Sequence, residues 1–253
     1  MRRDFTLTVG FAIAATLLLI TPAAAQTKAN TKPARVVLSV NGIYQTGTSD
    51  VTSTVSFPAN AETATFTSTF PVAAGTGFDA GARVTLRGAF GVGVAGTKFS
   101  AAGDADVTAK IPHPFFFSQP RSIAGTAALT RDETTVRIEL VFHSAPGKKL
   151  QFTGYVGPTY FSVKQDLVDA VTYTDAYPYD TATFGHAATK QASTSKWGFA
   201  GGADVSYYFT KSIGVGAMVT IAKASMSVKA SDGSPVDLTA GGTQAGGGLR
   251  LRF

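Results

Sequence analysis

The sequence predicts an all-β chain that folds as an eight-stranded antiparallel transmembrane β-barrel with short periplasmic turns and long extracellular loops. Two observations lead to this prediction. Apolar and polar residues alternate in short segments rich in β-branched, aromatic and small side chains. The connections between these segments are short at one end and mostly long at the other, as in outer-membrane barrels. The chain also lacks cysteine, so backbone pairing and packing must stabilise it without disulfides.

The first 25 residues, MRRDFTLTVGFAIAATLLLITPAAA, have the layout of a secretory signal peptide. Arg2 and Arg3 give a positive start, an apolar stretch follows, and three alanines after Pro22 form a cleavage site. The apolar stretch is short for a membrane anchor, the alternative, which needs about 20 apolar residues. We therefore expect residues 1–25 to be removed after export and residues 26–253 to form one barrel domain.

Eight segments alternate with a period of two and place their large apolar side chains on one face. The first four are predicted at 35–45, 62–70, 81–95 and 134–143. The second is the weakest, because most of its residues are threonines. Arg83 and Arg87 lie opposite the apolar face of the third segment, and Arg137 and Glu139 lie opposite that of the fourth.

The remaining four segments are predicted at 150–160, 196–209, 212–220 and 244–253. The sixth places Trp197 and Phe199 opposite Asp204, and the eighth ends in the run GLRLRF. Glycines lie inside several segments, as in GVGVAG and VGVGAM. They would weaken the core of a soluble two-sheet sandwich, which is the alternative fold.

The connections predict how the barrel is oriented. Short ones follow the second, fourth and sixth segments, with the sequences PVAAGTGFD, SAPGKK and TKS. The longest run roughly over 96–131 and 165–195. We therefore expect both termini in the periplasm and four long loops outside the cell.

The chain resembles the small bacterial outer-membrane β-barrels of the OmpA, OmpX and OmpW type, the outer membrane protein beta-barrel domain group. The signal peptide, the eight segments, the loop asymmetry and the terminal GLRLRF carry the resemblance. It implies localisation in the outer membrane of a Gram-negative bacterium, in contact with lipid and lipopolysaccharide. It also implies that Leu249, Leu251 and Phe253 are read by the barrel assembly machinery. The resemblance assigns no activity, because this architecture hosts many roles.

Charged residues on the inward faces predict a polar network in the lumen. Several of them fall at similar heights when counted from the short turns, and a buried charge is costly without a partner. The predicted network consists of Arg83, Arg87, Arg137, Glu139, Asp204 and Arg250. Two interpretations stay open at this point, structural filling of the lumen and a gate for ions. An eight-stranded barrel is too narrow for a general porin.

Two predicted loops carry unusual side chains. The stretch IPHPFFFSQPR holds Phe115, Phe116 and Phe117, which should not face water without a reason. They are expected either to pack on the rim or among lipid headgroups, or to form a recognition surface for a partner or apolar ligand. The stretch QDLVDAVTYTDAYPYD is rich in aspartate, but its spacing is not that of an EF-hand.

Several function classes are disfavoured. The formal net charge of +6 is spread along the chain, and an exported protein would not normally meet nucleic acid. GVGVAG matches a dinucleotide-binding pattern but lies inside a strand instead of opening a helix. Only His113, His143 and His186 are available as bases, and no catalytic triad emerges. We expect no enzyme, metal or cofactor, but a monomeric barrel with a structural or surface-interaction role. The alternative is a narrow channel, or an OmpW-like transporter or binder of small apolar solutes.

Overall fold

The computed structural model describes residues 35–144 and 148–253, so the predicted signal peptide lies outside the described residues. These ranges form ten antiparallel strands and hold no helix that is long and apolar enough to cross a bilayer. The strands are β1 Val36–Gln45, β2 Val51–Ala59, β3 Glu62–Phe70, β4 Gly75–Arg87, β5 Phe90–Ile111, β6 Arg121–His143, β7 Leu150–Asp175, β8 Ala182–Tyr208, β9 Ile213–Lys229 and β10 Pro235–Arg252.

Eight of these strands close into a barrel. β1 pairs with both β4 and β10, and β5 pairs with both β4 and β6. The ring therefore runs β1, β4, β5, β6, β7, β8, β9 and β10, and returns to β1. Closure pairs the backbone on both sides of every ring strand and removes the edges that an open sheet would leave. The predicted eight-stranded antiparallel barrel is confirmed, and the sandwich alternative is not the fold.

Two of the eight predicted segments are strand, as predicted, but neither forms one ring strand. The segment 62–70 is β3, which pairs with β2 in a hairpin inserted between β1 and β4. The segment 81–95 covers the end of β4 and the start of β5, which reverse direction at Gly88 and Ala89. Gly88 has a φ of +60°, which glycine adopts without strain. Apolar residues flank this tight turn closely, so the alternation continues across it and hides the reversal.

The outward side chains of the ring form a continuous band, here called the apolar band. Between Trp197 and Tyr207, β8 covers about 25 Å of the barrel axis, at roughly 3.3 Å per residue and a tilt of about 40°. Aromatic pairs lie at its borders, with ring centroids 5.6 Å apart in Phe90–Phe142 and 5.4 Å apart in Tyr160–Trp197. The band is exposed and includes Val40, Val84, Val92, Val94, Ile138, Leu140, Val156, Val205, Val215, Val219, Ile221 and Leu249.

The predicted long loops are mostly strand. β5 and β6 continue to the connection 112–120, and β7 and β8 continue to the connection 176–181. Beyond the band, the outward positions become polar, as at Lys98 and Lys223, while the inward positions become apolar, as at Val107 and Met226. The alternation therefore inverts at the border. Strands were predicted where apolar residues lie on the outer face. A strand with polar residues outside and small apolar residues inside lacks that pattern, so it was interpreted as a solvated loop.

The strands beyond the band form what we call the outer module, approximately residues 51–70, 98–134, 162–196 and 223–243. Ladder pairing between β6 and β7 stops at Arg131 and Gln165, and pairing between β8 and β9 stops at Phe199 and Lys223. The hairpins β7–β8 and β9–β10 therefore separate from the sheet β2–β3–β5–β6. All three pack around one apolar core, which includes Val55, Phe66, Phe70, Val107, Ile111, Leu129, Phe161, Leu167, Met226 and Leu238.

Gly154 and Gly157 of β7 give a test of how closely β6 and β7 approach each other in the barrel. The ladder is interrupted opposite Pro158, which lacks an N–H, and a Cβ on Gly157 would lie 1.8 Å from the carbonyl oxygen of Ile138. Gly154 has nothing within 4 Å of its Cβ position. We expect Gly157→Ala to lower the free energy of unfolding by about 1–3 kcal/mol, and Gly154→Ala to leave it unchanged or raise it. Urea unfolding in micelles, followed by fluorescence of the single Trp197, measures both. Equal effects would contradict the described close approach.

Candidate functional site

Three arginines and three carboxylates meet inside the barrel at the height of the apolar band. β4 supplies Asp79 and Arg83, β6 supplies Arg137 and Glu139, β8 supplies Asp204, and β10 supplies Arg250. All six are buried. Their formal charges cancel, which is the condition for burying them at tolerable cost. We call this set the lumen network.

The first half of the lumen network spans β4 to β6. Arg83 Nε donates to Glu139 Oε2 over 2.7 Å, and Arg137 Nη2 donates to Asp79 Oδ2 over 2.6 Å. Arg137 Nε also donates to Glu139 Oε1 over 3.3 Å, so Glu139 sits between two guanidinium groups. The intervening strand β5 leaves room for these side chains. A Cβ on Gly93 would lie 2.8 Å from Arg83 Cγ and 3.1 Å from Glu139 Oε2, so this strand glycine gives its long neighbours room.

The second half joins β8 and β10 to the first. Arg250 forms a close ion pair with Asp204, and its Nη1 donates to Asn41 Oδ1 over 2.6 Å. Asn41 in turn donates from Nδ2 to Asp79 Oδ1 over 3.1 Å. Arg83 Nη1 lies 4.0 Å from Asp204 Oδ2. The ion pairs are therefore linked around the lumen instead of standing as separate bridges.

Tyr155 fills the space beside the lumen network. The guanidinium carbon of Arg83 lies 4.4 Å from the centroid of its ring, and that of Arg137 lies 5.9 Å from it, within cation–π range. Its hydroxyl is 2.6 Å from that of Thr220. The cavity beside Arg83 and His143 measures only about 10 Å³, roughly what one water molecule needs. Side chains therefore occupy the lumen at this height.

The structure brings together Arg83, Arg137, Glu139, Asp204 and Arg250 from the predicted set. Arg87 does not join them, because it lies exposed next to the tight turn at Gly88. Asp79 was missed, because PVAAGTGFD was interpreted as a turn although Gly75–Arg87 is strand. The predicted set held four arginines against two carboxylates, and this imbalance was the available signal that a buried acid was missing.

A second buried ion pair lies farther from the short turns. Arg131 Nε donates to Glu133 Oε1 over 2.7 Å, and Arg131 Nη2 donates to the carbonyl of Thr239 over 2.6 Å. Glu133 Oε2 accepts from the backbone N–H of Gly241 over 3.0 Å. Gly241 has a φ of +95°, a conformation that favours glycine. This pair closes the lumen again where the apolar core of the outer module begins. It was not predicted, because Arg131 fell in a predicted loop.

The connection between β5 and β6 exposes three consecutive phenylalanines at the far end of the outer module. Phe115, Phe116 and Phe117 are 68%, 56% and 73% exposed. Lys98 and Ile111 mark the lower and upper ends of this part of β5. It extends about 30 Å beyond the band along the barrel axis, at roughly 3.3 Å per residue and a tilt of about 40°. The exposed rings do not pack on the barrel rim, which was one of the expectations.

The exposed phenylalanines are held in place by buried polar groups. His113 Nδ1 accepts from the N–H groups of Phe115 and Phe116 over 3.1 and 3.2 Å. Arg121 Nη1 pairs with Asp175 over 2.7 Å and thereby ties this connection to the end of β7. Phe115 packs edge-to-face on Tyr179, with centroids 5.4 Å apart. We call Phe115, Phe116, Phe117 and the 85% exposed Tyr177 the aromatic tip.

The remaining candidate residues lie apart from these groups. Leu249, Leu251 and Phe253 face outward at the short-turn end of the barrel, and Phe253 O accepts from Arg35 N over 2.7 Å. The aspartates of the predicted loop belong to β7 and the connection after it, where Asp166 accepts from Thr130 and Asp175 from Arg121. In residues 35–144 and 148–253, no group of three or more His, Cys, Asp and Glu is arranged to hold a metal ion.

Comparison with known proteins gives structural similarity without sequence similarity. No family model and no curated protein matches the chain. The outer membrane protein OprG of Pseudomonas aeruginosa is 11% identical with a TM-score of 0.49, over 87% of this chain and 97% of its own. Ail, the attachment invasion locus protein of Yersinia pestis, is 12% identical with a TM-score of 0.38, over 87% and 99%. These likenesses are weak, so the fold assignment depends on the strand pairing.

The lumen network predicts strongly non-additive mutational effects. Arg137→Met leaves Asp79 buried without a cation and should lower the free energy of unfolding by about 3–5 kcal/mol. Adding Asp79→Asn removes the unpaired charge, and Glu139 still has Arg83 as its ion-pair partner. The double variant should therefore recover about half of that loss of unfolding free energy. Urea titrations of both singles and the double measure the coupling. Strictly additive losses would show that the two groups do not interact.

Proposed function

We propose that this chain is a non-catalytic, non-conducting outer-membrane protein that presents the outer module and the aromatic tip at the cell surface. The observation that carries the proposal is the packed, charge-neutral lumen. Such a lumen suits a rigid anchor, because a conducting path needs a continuous wet passage and open aqueous channels occur with about 16–18 strands.

The apolar band supports the membrane part of the proposal. A band about 25 Å tall with aromatic borders matches the outer surface of transmembrane barrels. Exposed Lys98, Lys196 and Lys223 lie just beyond the border on the side of the outer module. Cations at that height are suited to the phosphates of lipopolysaccharide, as basic clusters are to anionic lipids generally. These lysines support an orientation with the outer module outside the cell and the short turns in the periplasm, as expected after export by the predicted signal peptide.

The outer module supports the interaction part of the proposal. Its hairpins share a buried apolar core, so the module is a folded body and not a set of loose loops. The aromatic tip at its far end remains exposed although His113 and Arg121 hold its backbone in place. Ordered, exposed aromatic side chains are typical of binding surfaces, since their burial by a partner gains much and costs little entropy. We infer that the tip contacts an apolar surface outside the cell.

Conductance tests the non-conducting anchor. Purified protein in planar bilayers should show no conductance steps, whereas the double variant Arg83→Ala with Glu139→Ala, which keeps the charge balance and empties space, should leak. A porin of known conductance is the positive control. Discrete steps from the unaltered protein would contradict the proposal and favour the alternative, a narrow channel or a transporter of small apolar solutes.

Adhesion tests the aromatic tip. Replacing Phe115, Phe116 and Phe117 with serine should reduce binding of expressing cells to octyl-coated beads at least several-fold, because the apolar contact area is lost. The unfolding free energy of the purified variant should stay within about 0.5 kcal/mol of the unaltered protein, since the three rings are exposed. Undiminished adhesion by a variant that reaches the cell surface in equal amount would refute a role for the tip.

A further inference from the structure

A cleft opens on the outer module where its three parts meet. It lies between Ser56 of β2, the irregularity of β7 at Asp169, and the connection between β9 and β10 at Asp232, and its volume is about 290 Å³. That volume is close to the lower end of the range for small-molecule sites, roughly 300–1,000 Å³. At the cleft, β2 meets the β9–β10 connection through the hydrogen bond from Ser56 N to Asp232, without ladder pairing.

The floor of the cleft is apolar. Val55 and Phe66 line it and belong to the core of the outer module, with 3% and 1% exposure. Phe57 packs on Phe66 with ring centroids 6.2 Å apart, and Val171 closes the side formed by β7. A compact apolar group that enters the cleft would therefore contact aromatic and branched side chains.

Two aspartates line the cleft as well. Asp232 is fixed, because its Oδ2 accepts from Ser56 N over 3.0 Å and its Oδ1 accepts from Ser234 N over 2.9 Å. These backbone hydrogen bonds hold the pKa of Asp232 below its usual value, so it remains ionised at neutral pH. The Asp169 backbone carbonyl accepts from Ser231 Oγ over 3.0 Å. The Asp169 carboxylate forms no ion pair with the described residues.

We propose that this cleft binds a small organic cation, an ammonium group joined to a compact apolar body. The apolar part lies on Val55, Phe57, Phe66 and Val171, and the ammonium group pairs with Asp169 beside the fixed charge of Asp232. Two negative charges disfavour anions, and a neutral molecule of the same shape loses the charge-assisted contact. The site goes beyond the surface role proposed above and does not involve the aromatic tip.

Binding of 2-phenylethylammonium to the barrel in lipid nanodiscs tests this site, with empty nanodiscs as the control for partitioning. We expect saturable binding that is at least 10-fold weaker for 2-phenylethanol and undetectable for 3-phenylpropanoate. Asp169→Asn should weaken binding of the cation at least 10-fold, whereas Asp104→Asn, an exposed carboxylate on β5, should not change it. Ala170→Trp, which adds bulk at the cleft without changing its charge, should abolish binding.

Three results would overturn the assignment. These are the absence of saturable binding above that of empty nanodiscs, equal affinity for the alcohol and the ammonium, or equal effects of Asp169→Asn and Asp104→Asn. Conductance and adhesion do not depend on this cleft, so its failure would be distinguishable from failure of the proposed surface role. Far-UV circular dichroism verifies that the barrel is folded in each variant before binding is compared, since Ala170→Trp adds a second tryptophan beside Trp197.

Discussion

A charge buried inside an eight-stranded barrel must meet its counter-charge inside the same barrel. The lumen is too narrow to hydrate an isolated guanidinium group, and the lipid side offers no partner. Arg83, Arg137 and Arg250 therefore depend on Asp79, Glu139 and Asp204. Four different strands contribute these six residues. The same requirement accounts for inward glycines such as Gly93, since the arginine side chains need the volume that a Cβ would occupy.

The border of the apolar band divides the chain into two regions with opposite patterns. Within the band, apolar side chains face outward and charges face inward. Beyond it, Lys98 and Lys223 face outward while Val107 and Met226 face inward, as in a soluble β-protein. The same strands thus face lipid within the band and water beyond it. The outer region is consequently a folded body with its own core, and this gives the aromatic tip and the cleft defined positions far from the lipid.

The sequence predicted what depends on local alternation and failed where alternation misleads. A period of two predicts which segments are strands and which side chains face inward. It made predictable the inward direction of Glu139 and Asp204 and the strands β1, β6, β7, β8, β9 and β10. The tight turn at Gly88 was not, because apolar residues on both sides continue the alternation. Asp79 was missed because it was assigned to the predicted turn PVAAGTGFD, which is part of β4. The outer module was missed because its inverted pattern lacks the lipid-facing signature, and its core becomes recognisable only once β2 and β3 are paired.

Water contact of the lumen arginines, measured by water-edited solid-state NMR on the labelled protein in bilayers, tests this account most directly. The side-chain nitrogens of Arg83, Arg137 and Arg250 should receive little magnetisation from bulk water, while the exposed ammonium of Lys98 should receive it rapidly. Rapid transfer to all three guanidinium groups, equal to that of Lys98, would show a hydrated passage and contradict a lumen closed by paired charges.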